Sequence, residues 1–132
     1  MSIQPRVLVV DDDENIISAF EDFLRKEHCT MMSASNVEDA LSVISHQVVN
    51  LVITDIRMKW QSGVTFLMHL KQRHPRLPVI VITGYPNLIP EADIRHYGAE
   101  YLFVKPLELD QLREAVRNCL NRSIGSPHRD LP

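Results

Sequence analysis

Short apolar runs recur along this chain, and their pattern limits what it can fold into. Residues 7–10 (Val-Leu-Val-Val), 51–54 (Leu-Val-Ile-Thr) and 79–82 (Val-Ile-Val-Ile) are apolar almost throughout, whereas runs at 30–34 and 101–104 are weaker. A strand buried on one face alternates apolar and polar residues. A continuous run needs cover on both faces, which is the habit of a parallel sheet held between two layers of helices.

Between the runs the period turns helical. Ile16, Ile17, Phe20, Phe23 and Leu24 form one stripe; Val37, Leu41 and Ile44 form a second, opened by the capping-box pattern Ser35-Asn36-Val37-Glu38. Val64, Leu67 and Leu70 form a third from Gly63, and Leu109, Leu112, Val116 and Leu120 form a fifth. The fourth interval is poor: Pro86 and Pro90 leave only about two turns, residues 91–97, able to be a proper helix. Five strands alternating with five helical segments predict right-handed βαβ units and a doubly wound α/β sheet. Residues 121–132, with Gly125, Pro127 and Pro132, lose the period and read as a tail or the start of a linker.

Composition narrows the function. A chain of 132 residues suits one domain. A net charge of −3 argues against gripping nucleic acid, which needs a basic surface to replace counterions. Apolar runs of strand length cannot span a bilayer, and nothing at the start resembles a signal peptide, so a cytoplasmic protein is expected. Cys29 and Cys119, far apart and without a CxxC, read as small core residues in a reducing compartment. The six histidines lack metal spacing.

Ligands of doubly wound sheets bind beyond the carboxyl ends of the strands. No glycine-rich phosphate loop follows the first strand; Asp11-Asp12-Asp13 follows instead, which argues against dinucleotide and P-loop folds. The strand ends supply Asp11 and Asp12, Asp55, Thr83, and Lys105 with Pro106. Clustered carboxylates repel and need a cation or proton to coexist. Oxygen ligands without His or Cys suit Mg2+. A carboxylate between such a metal and a lysine can act as nucleophile toward a phosphoryl group, and by position that carboxylate is Asp55.

At this point the sequence resembles the receiver domain of bacterial two-component response regulators, over about residues 6–120. The matching pieces are Val9-Val10-Asp11-Asp12; Ile53-Thr54-Asp55-Ile56-Arg57-Met58 with Gly63 eight residues after the aspartate; Val81-Ile82-Thr83-Gly84-Tyr85-Pro86; and Gly98-Ala99 followed by Lys105-Pro106. The resemblance implies a flavodoxin-like (βα)5 fold with strand order 2-1-3-4-5. It divides the chain into a receiver at residues 1–121 and a tail or linker start at 122–132. It implies a signalling domain, not a turnover enzyme, whose Asp55 accepts a phosphoryl group from a sensor histidine kinase or a phosphotransfer protein. Asp12 and Asp55 would ligate Mg2+ directly, Asp11 through water, and the backbone carbonyl of Arg57 would complete the site. Thr83 and Lys105 would take the phosphoryl oxygens. A downstream effector domain or protein would read the change, and phosphorylation is compatible with a homodimer.

The chain departs from the family pattern twice. Lys59 stands where proline usually follows the aspartate by four residues, and Leu102 stands at the usual aromatic switch position, between Tyr101 and Phe103. Trp60, in the loop after Asp55, is undiagnostic. Two rival readings fit the sequence less well. A degenerate receiver serving as a constitutive interaction module would lack Asp12, Asp55, Thr83 or Lys105, and all are present. A Mg2+-dependent phosphohydrolase would need a cap or substrate pocket, for which the short connections leave little room.

Overall fold

In the computed structural model, which describes residues 3–58, 61–84 and 90–124, the expected alternation of strands and helices is found. The elements are β1 (Arg6–Val10), α1 (Glu14–Lys26), β2 (Thr30–Ala34), α2 (Val37–His46), β3 (Leu51–Asp55), α3 (Gly63–Arg73), β4 (Val79–Thr83), α4 (Glu91–His96), β5 (Tyr101–Val104) and α5 (Leu109–Ile124). The five strands of the main sheet are parallel, in the order β2-β1-β3-β4-β5.

The sheet order accounts for the two classes of apolar run. The three continuous runs are the central strands, and the two weaker ones are the edges. The strand residues of β1, β3 and β4 from Val7 to Val10, Leu51 to Asp55 and Val79 to Thr83 are all buried. Alternation along the strands divides them between two cores. Val7, Val9, Leu51, Ile53, Ile80 and Ile82 meet α1 and α5, with Phe20, Phe23, Leu24, Leu112 and Val116. Leu8, Val10, Val52, Val79 and Val81 meet α2, α3 and α4, with Ala40, Phe66, Leu67, Leu70 and Ile94. Each fully buried Leu, Ile or Val side chain contributes about 1.5–3 kcal/mol of transfer free energy, so the central strands carry much of the stability.

Local chemistry sets the helix ends. Asp13 is the N-cap of α1, its side chain accepting the Asn15 amide at 2.9 Å. The cap of α2 lies one residue beyond the start of the predicted capping box. Asn36 accepts the Asp39 amide at 2.8 Å, and its own amide group donates to the Asp39 carboxylate at 3.0 Å. Asn competes well with Ser as a cap, so two adjacent candidates stood before one helix. The fourth helix is short, as expected, with Pro90 as an N-cap that makes no side-chain bond. Helix α5 runs through Ile124. Lys59, Trp60, Tyr85, Pro86, His128 and the segment 125–132 lie outside the described residues.

One element was not anticipated. Arg57–Met58 pairs antiparallel with Gln61–Ser62 directly after β3. The turn then returns to the strand end, because the Gly63 amide donates to Ile56 O at 2.9 Å. A Cβ on Gly63 would lie 2.4 Å from that oxygen, so only glycine allows this approach.

Candidate functional site

The carboxyl ends of β1, β3, β4 and β5 meet at one edge of the sheet, and ladder bonds extend past the strands to hold the site residues. Asp11 N donates to Ala34 O at 3.1 Å, Ile56 N to Ile82 O at 3.0 Å, and Lys105 N to Thr83 O at 2.7 Å. Asp11 and Asp55 are therefore carried on backbone fixed by neighbouring strands. Both are buried, at 1% and 6% exposure, whereas Asp12 is exposed.

One oxygen from each of Asp11, Asp12 and Asp55 lies within 4.8 Å of the others. Lys105 crosses from β5 to this group, with Nζ 3.3 Å from Asp11 Oδ2 and 3.1 Å from Asp55 Oδ2. The remaining oxygens of the two buried carboxylates are held by backbone. Asp13 N donates to Asp11 Oδ1 at 2.9 Å, and Arg57 N donates to Asp55 Oδ1 at 3.1 Å. The acidic triplet thus divides its work: Asp11 and Asp12 face the site, and Asp13 caps α1. Thr83 is buried at the end of β4, one position beyond Ile82, which is in register with Asp55.

Among the described residues, three carboxylates face one ammonium, and this puts the cluster under electrostatic tension. Burial pushes the Asp11 carboxyl above its ordinary value; the Asp13 amide pulls it back, the Asp55 charge pushes it further up, and Lys105 pulls it down. Burial alone would lower the Lys105 ammonium, but the charges of Asp11 and Asp55 outweigh it and hold it above the usual lysine range. The lysine is thereby kept as a fixed cation. The donor set fits a hard divalent cation: oxygen only, net negative, partly open to solvent, and compact enough for small side-chain shifts to close.

An open cleft beside the cluster is lined by Asp11, Asp12, Glu14, Ile17, Ser33 and Asp39. It gives the carboxylates a solvent route between the start of α1 and the β2–α2 connection. Sequence reading missed Glu14, Ser33 and Asp39 as neighbours of the site, because only the packing of α1 and α2 around β2 brings them there. It also missed the amide bond that orients Asp55, since the resemblance implies a role only for the carbonyl of Arg57.

The sequence brought Asp11, Asp12, Asp55 and Lys105 forward together, and the fold brings them together. Leu102 pairs in register with Val81 and packs into the α2–α4 core, whereas Tyr101 and Phe103 pack on the α1–α5 side. Those two rings stack with centroids 6.1 Å apart, and Tyr101 Oη accepts a bond from Asn118 Nδ2 at 3.2 Å. Neither ring can stand in for an aromatic at position 102, because the pleat points them to the opposite face.

Comparisons with known proteins agree with this geometry. The family model described as Response regulator receiver domain matches residues 7–117. The response regulator protein PilR of Pseudomonas aeruginosa is 33% identical over 115 residues, covering 87% of this chain and 26% of its own length. The DNA-binding transcriptional regulator NtrC of Escherichia coli is 30% identical over 115 residues, covering 87% of this chain and 24% of its own. The chain thus spans about a quarter of the length of these curated relatives. Among solved structures, a CheY-like receiver domain protein from Methanospirillum hungatei has a TM-score of 0.86 at 25% identity, covering 94% of this chain and 99% of that one. The response regulator TrrA from Thermotoga maritima, in complex with Mg(2+)-BeF, has a TM-score of 0.81 at 30% identity, covering 89% of this chain and 100% of that one. Among the described residues, no helix is long and apolar enough to cross a membrane.

Proposed function

The chain belongs to the response regulator receiver domain family, and from that premise we propose that it is a phosphorylation-dependent switch whose phosphoacceptor is Asp55. The observation that carries the reading is the reach of Lys105, which meets both Asp55 and Asp11 at the mouth of a three-carboxylate cluster.

Asp12 and Asp55 would hold Mg2+ directly, Asp11 through water, and the backbone carbonyl of Arg57 would complete the set. When bound, the cation neutralises the cluster and draws charge from the phosphoryl oxygens in transfer. The donor is a phosphohistidine of a sensor kinase or phosphotransfer protein. A carboxylate oxygen of Asp55 forms the new bond to phosphorus as the bond from phosphorus to the imidazole nitrogen breaks, and that nitrogen leaves with the electron pair. The Arg57 amide on Asp55 Oδ1 orients the carboxylate for this attack. Lys105 then turns from the bare carboxylates to a phosphoryl oxygen, and Thr83 donates its hydroxyl to another.

Drawing Thr83 toward the phosphoryl group vacates space behind β4, and Leu102 follows into it. The readout surface is α4 and β5, seen by a downstream effector domain or protein, with homodimerisation as one route of output. The cytoplasm suits this role, since it keeps the buried thiols of Cys29 and Cys119 reduced. Intact-mass measurement after acetyl phosphate and Mg2+ should show one phosphoryl adduct, absent in Asp55→Asn. An undiminished adduct in that variant would sink the assignment.

A further inference from the structure

Away from the carboxylate cluster, the most deeply buried ion pair among the described residues joins Lys71 of α3 to Glu100, just ahead of β5. Nζ and Oε1 lie 2.7 Å apart, and only 14% and 13% of the two side chains are exposed. Each partner is held a second time. Lys71 Nζ donates to Leu77 O at 2.7 Å, and Glu100 Oε2 accepts the Val79 amide at 2.6 Å. The Glu100 amide in turn donates to Val79 O at 2.9 Å. Glu100 therefore grips the first residue of β4 at both its N–H and its C=O.

The C-terminal end of α4 is tied to the same point. Arg95 Nη1 donates to Glu100 O at 3.3 Å, Gly98 N to Arg95 O at 2.9 Å, and Ala99 N to Ile94 O at 3.3 Å. Gly98, at φ 109°, lies on the Lys71 stem, where a Cβ would come within 2.7 Å of Lys71 Cγ. Among the described residues, the other end of α4 is held by the exposed Glu91–Arg95 pair at 3.0 Å and by the Asp93 and Ile94 amides on Pro90 O. Residues 90–93 are exposed, and Pro90 supplies no side-chain cap.

We propose that the Lys71–Glu100 pair is a fixed pivot that pins the C-terminal end of α4 and the start of β5, so that α4 moves at its N-terminal end alone. The inference rests on the switch reading above. Its physical ground is an asymmetry of cost. Parting a buried, hydrogen-bonded charge pair strands two charges away from water, whereas opening an exposed, uncapped first turn exposes little that was hidden. A push from Thr83 therefore spends itself at residues 90–93 and turns the helix about residues 98–100. Lys71 and Glu100 act here as positioning residues.

Residue-resolved hydrogen exchange tests this on the wild type, Glu100→Gln and the double variant Lys71→Met/Glu100→Gln. The double variant leaves neither charge unpaired, which protects its folding. Without ligand, the Gly98, Ala99 and Glu100 amides should exchange about tenfold faster in the double variant than in the wild type. With Mg2+ and beryllofluoride, the wild type should change at the Asp93 and Ile94 amides and stay unchanged at 98–100. The double variant should change at both ends. Equal ligand-free exchange at 98–100 in the two proteins would overturn the pivot, as would a wild-type response at 98–100 as large as at 93–94. A wild type silent at every amide would remove the switch and the pivot together. The ligand-free comparison identifies that case, because the pair would still protect 98–100.

Discussion

Removing the exposed carboxylate of the cluster should make the metal-free protein more stable, and the structure sets the size of the gain. Asp12 has an oxygen no farther than 4.8 Å from oxygens of Asp11 and Asp55. Two unit charges at that distance repel by about 0.9 kcal/mol in bulk water and about 3.5 kcal/mol at an effective dielectric constant near 20. Asp12 is exposed, so the lower end applies to each of its two contacts. Lys105 attracts it in return, Asp12 has a further polar contact of its own, and both offset part of the sum. A net gain of about 1 kcal/mol remains for Asp12→Asn, which keeps a side chain able to hydrogen-bond. In a domain of this size that raises Tm by about 3–5 °C in EDTA. Glu21→Gln, an exposed neutralisation on α1 outside the cluster, should shift it by no more than about 1 °C. Added Mg2+ should reverse the order. A cation at a hundred times its Kd stabilises the wild type by about 2.7 kcal/mol, and the variant, with one ligand fewer, gains less. Thermal unfolding followed by circular dichroism in EDTA and in a Mg2+ series reads both arms. If Asp12→Asn melts at or below the wild type in EDTA, the cluster is not electrostatically strained and the reasoning fails.

Gly63→Ala should lower stability by about 1–3 kcal/mol, because its Cβ would meet backbone atoms of Ile56, which cannot rotate away as a side-chain tip can; urea unfolding checks it. Cys29 gives a pH dependence. Burial first, and then the Glu27 charge, raise its thiol above the ordinary value of 9.0. A folded pKa above the unfolded one contributes stability that is complete below the unfolded value and lost as pH rises through the folded one. The stability margin of the wild type over Cys29→Ala should therefore narrow above about pH 9, and a constant margin up to pH 10.5 would contradict it. Leu102→Tyr should enlarge the hydrogen-exchange response of β5 to beryllofluoride, since a ring in the α2–α4 core sweeps more surface than a leucine. A response no larger than the wild type's would show that residue 102 does not follow Thr83.

Much of this molecule was legible in one dimension because strand and helix are written in short-range periods. The runs at 7–10, 51–54 and 79–82 announced strands covered on both faces, and the sheet places them at its centre. The broken fourth interval announced a short helix, and α4 has six residues. Topology then did the rest for the cluster. A doubly wound parallel sheet delivers every strand's carboxyl end to one edge, so Asp11, Asp12, Asp55 and Lys105 meet there although Lys105 is 94 residues from Asp11. The choice of Asn36 over Ser35 as a cap was not legible, because both suit the position and the difference lies in where the chain leaves β2. Nor was the Lys71–Glu100 pair, whose partners are 29 residues apart and carry no periodic signal. Backbone preference is local, set by sterics over a few residues. Which charges meet is decided by register and layer packing, and those exist only once the whole sheet has formed.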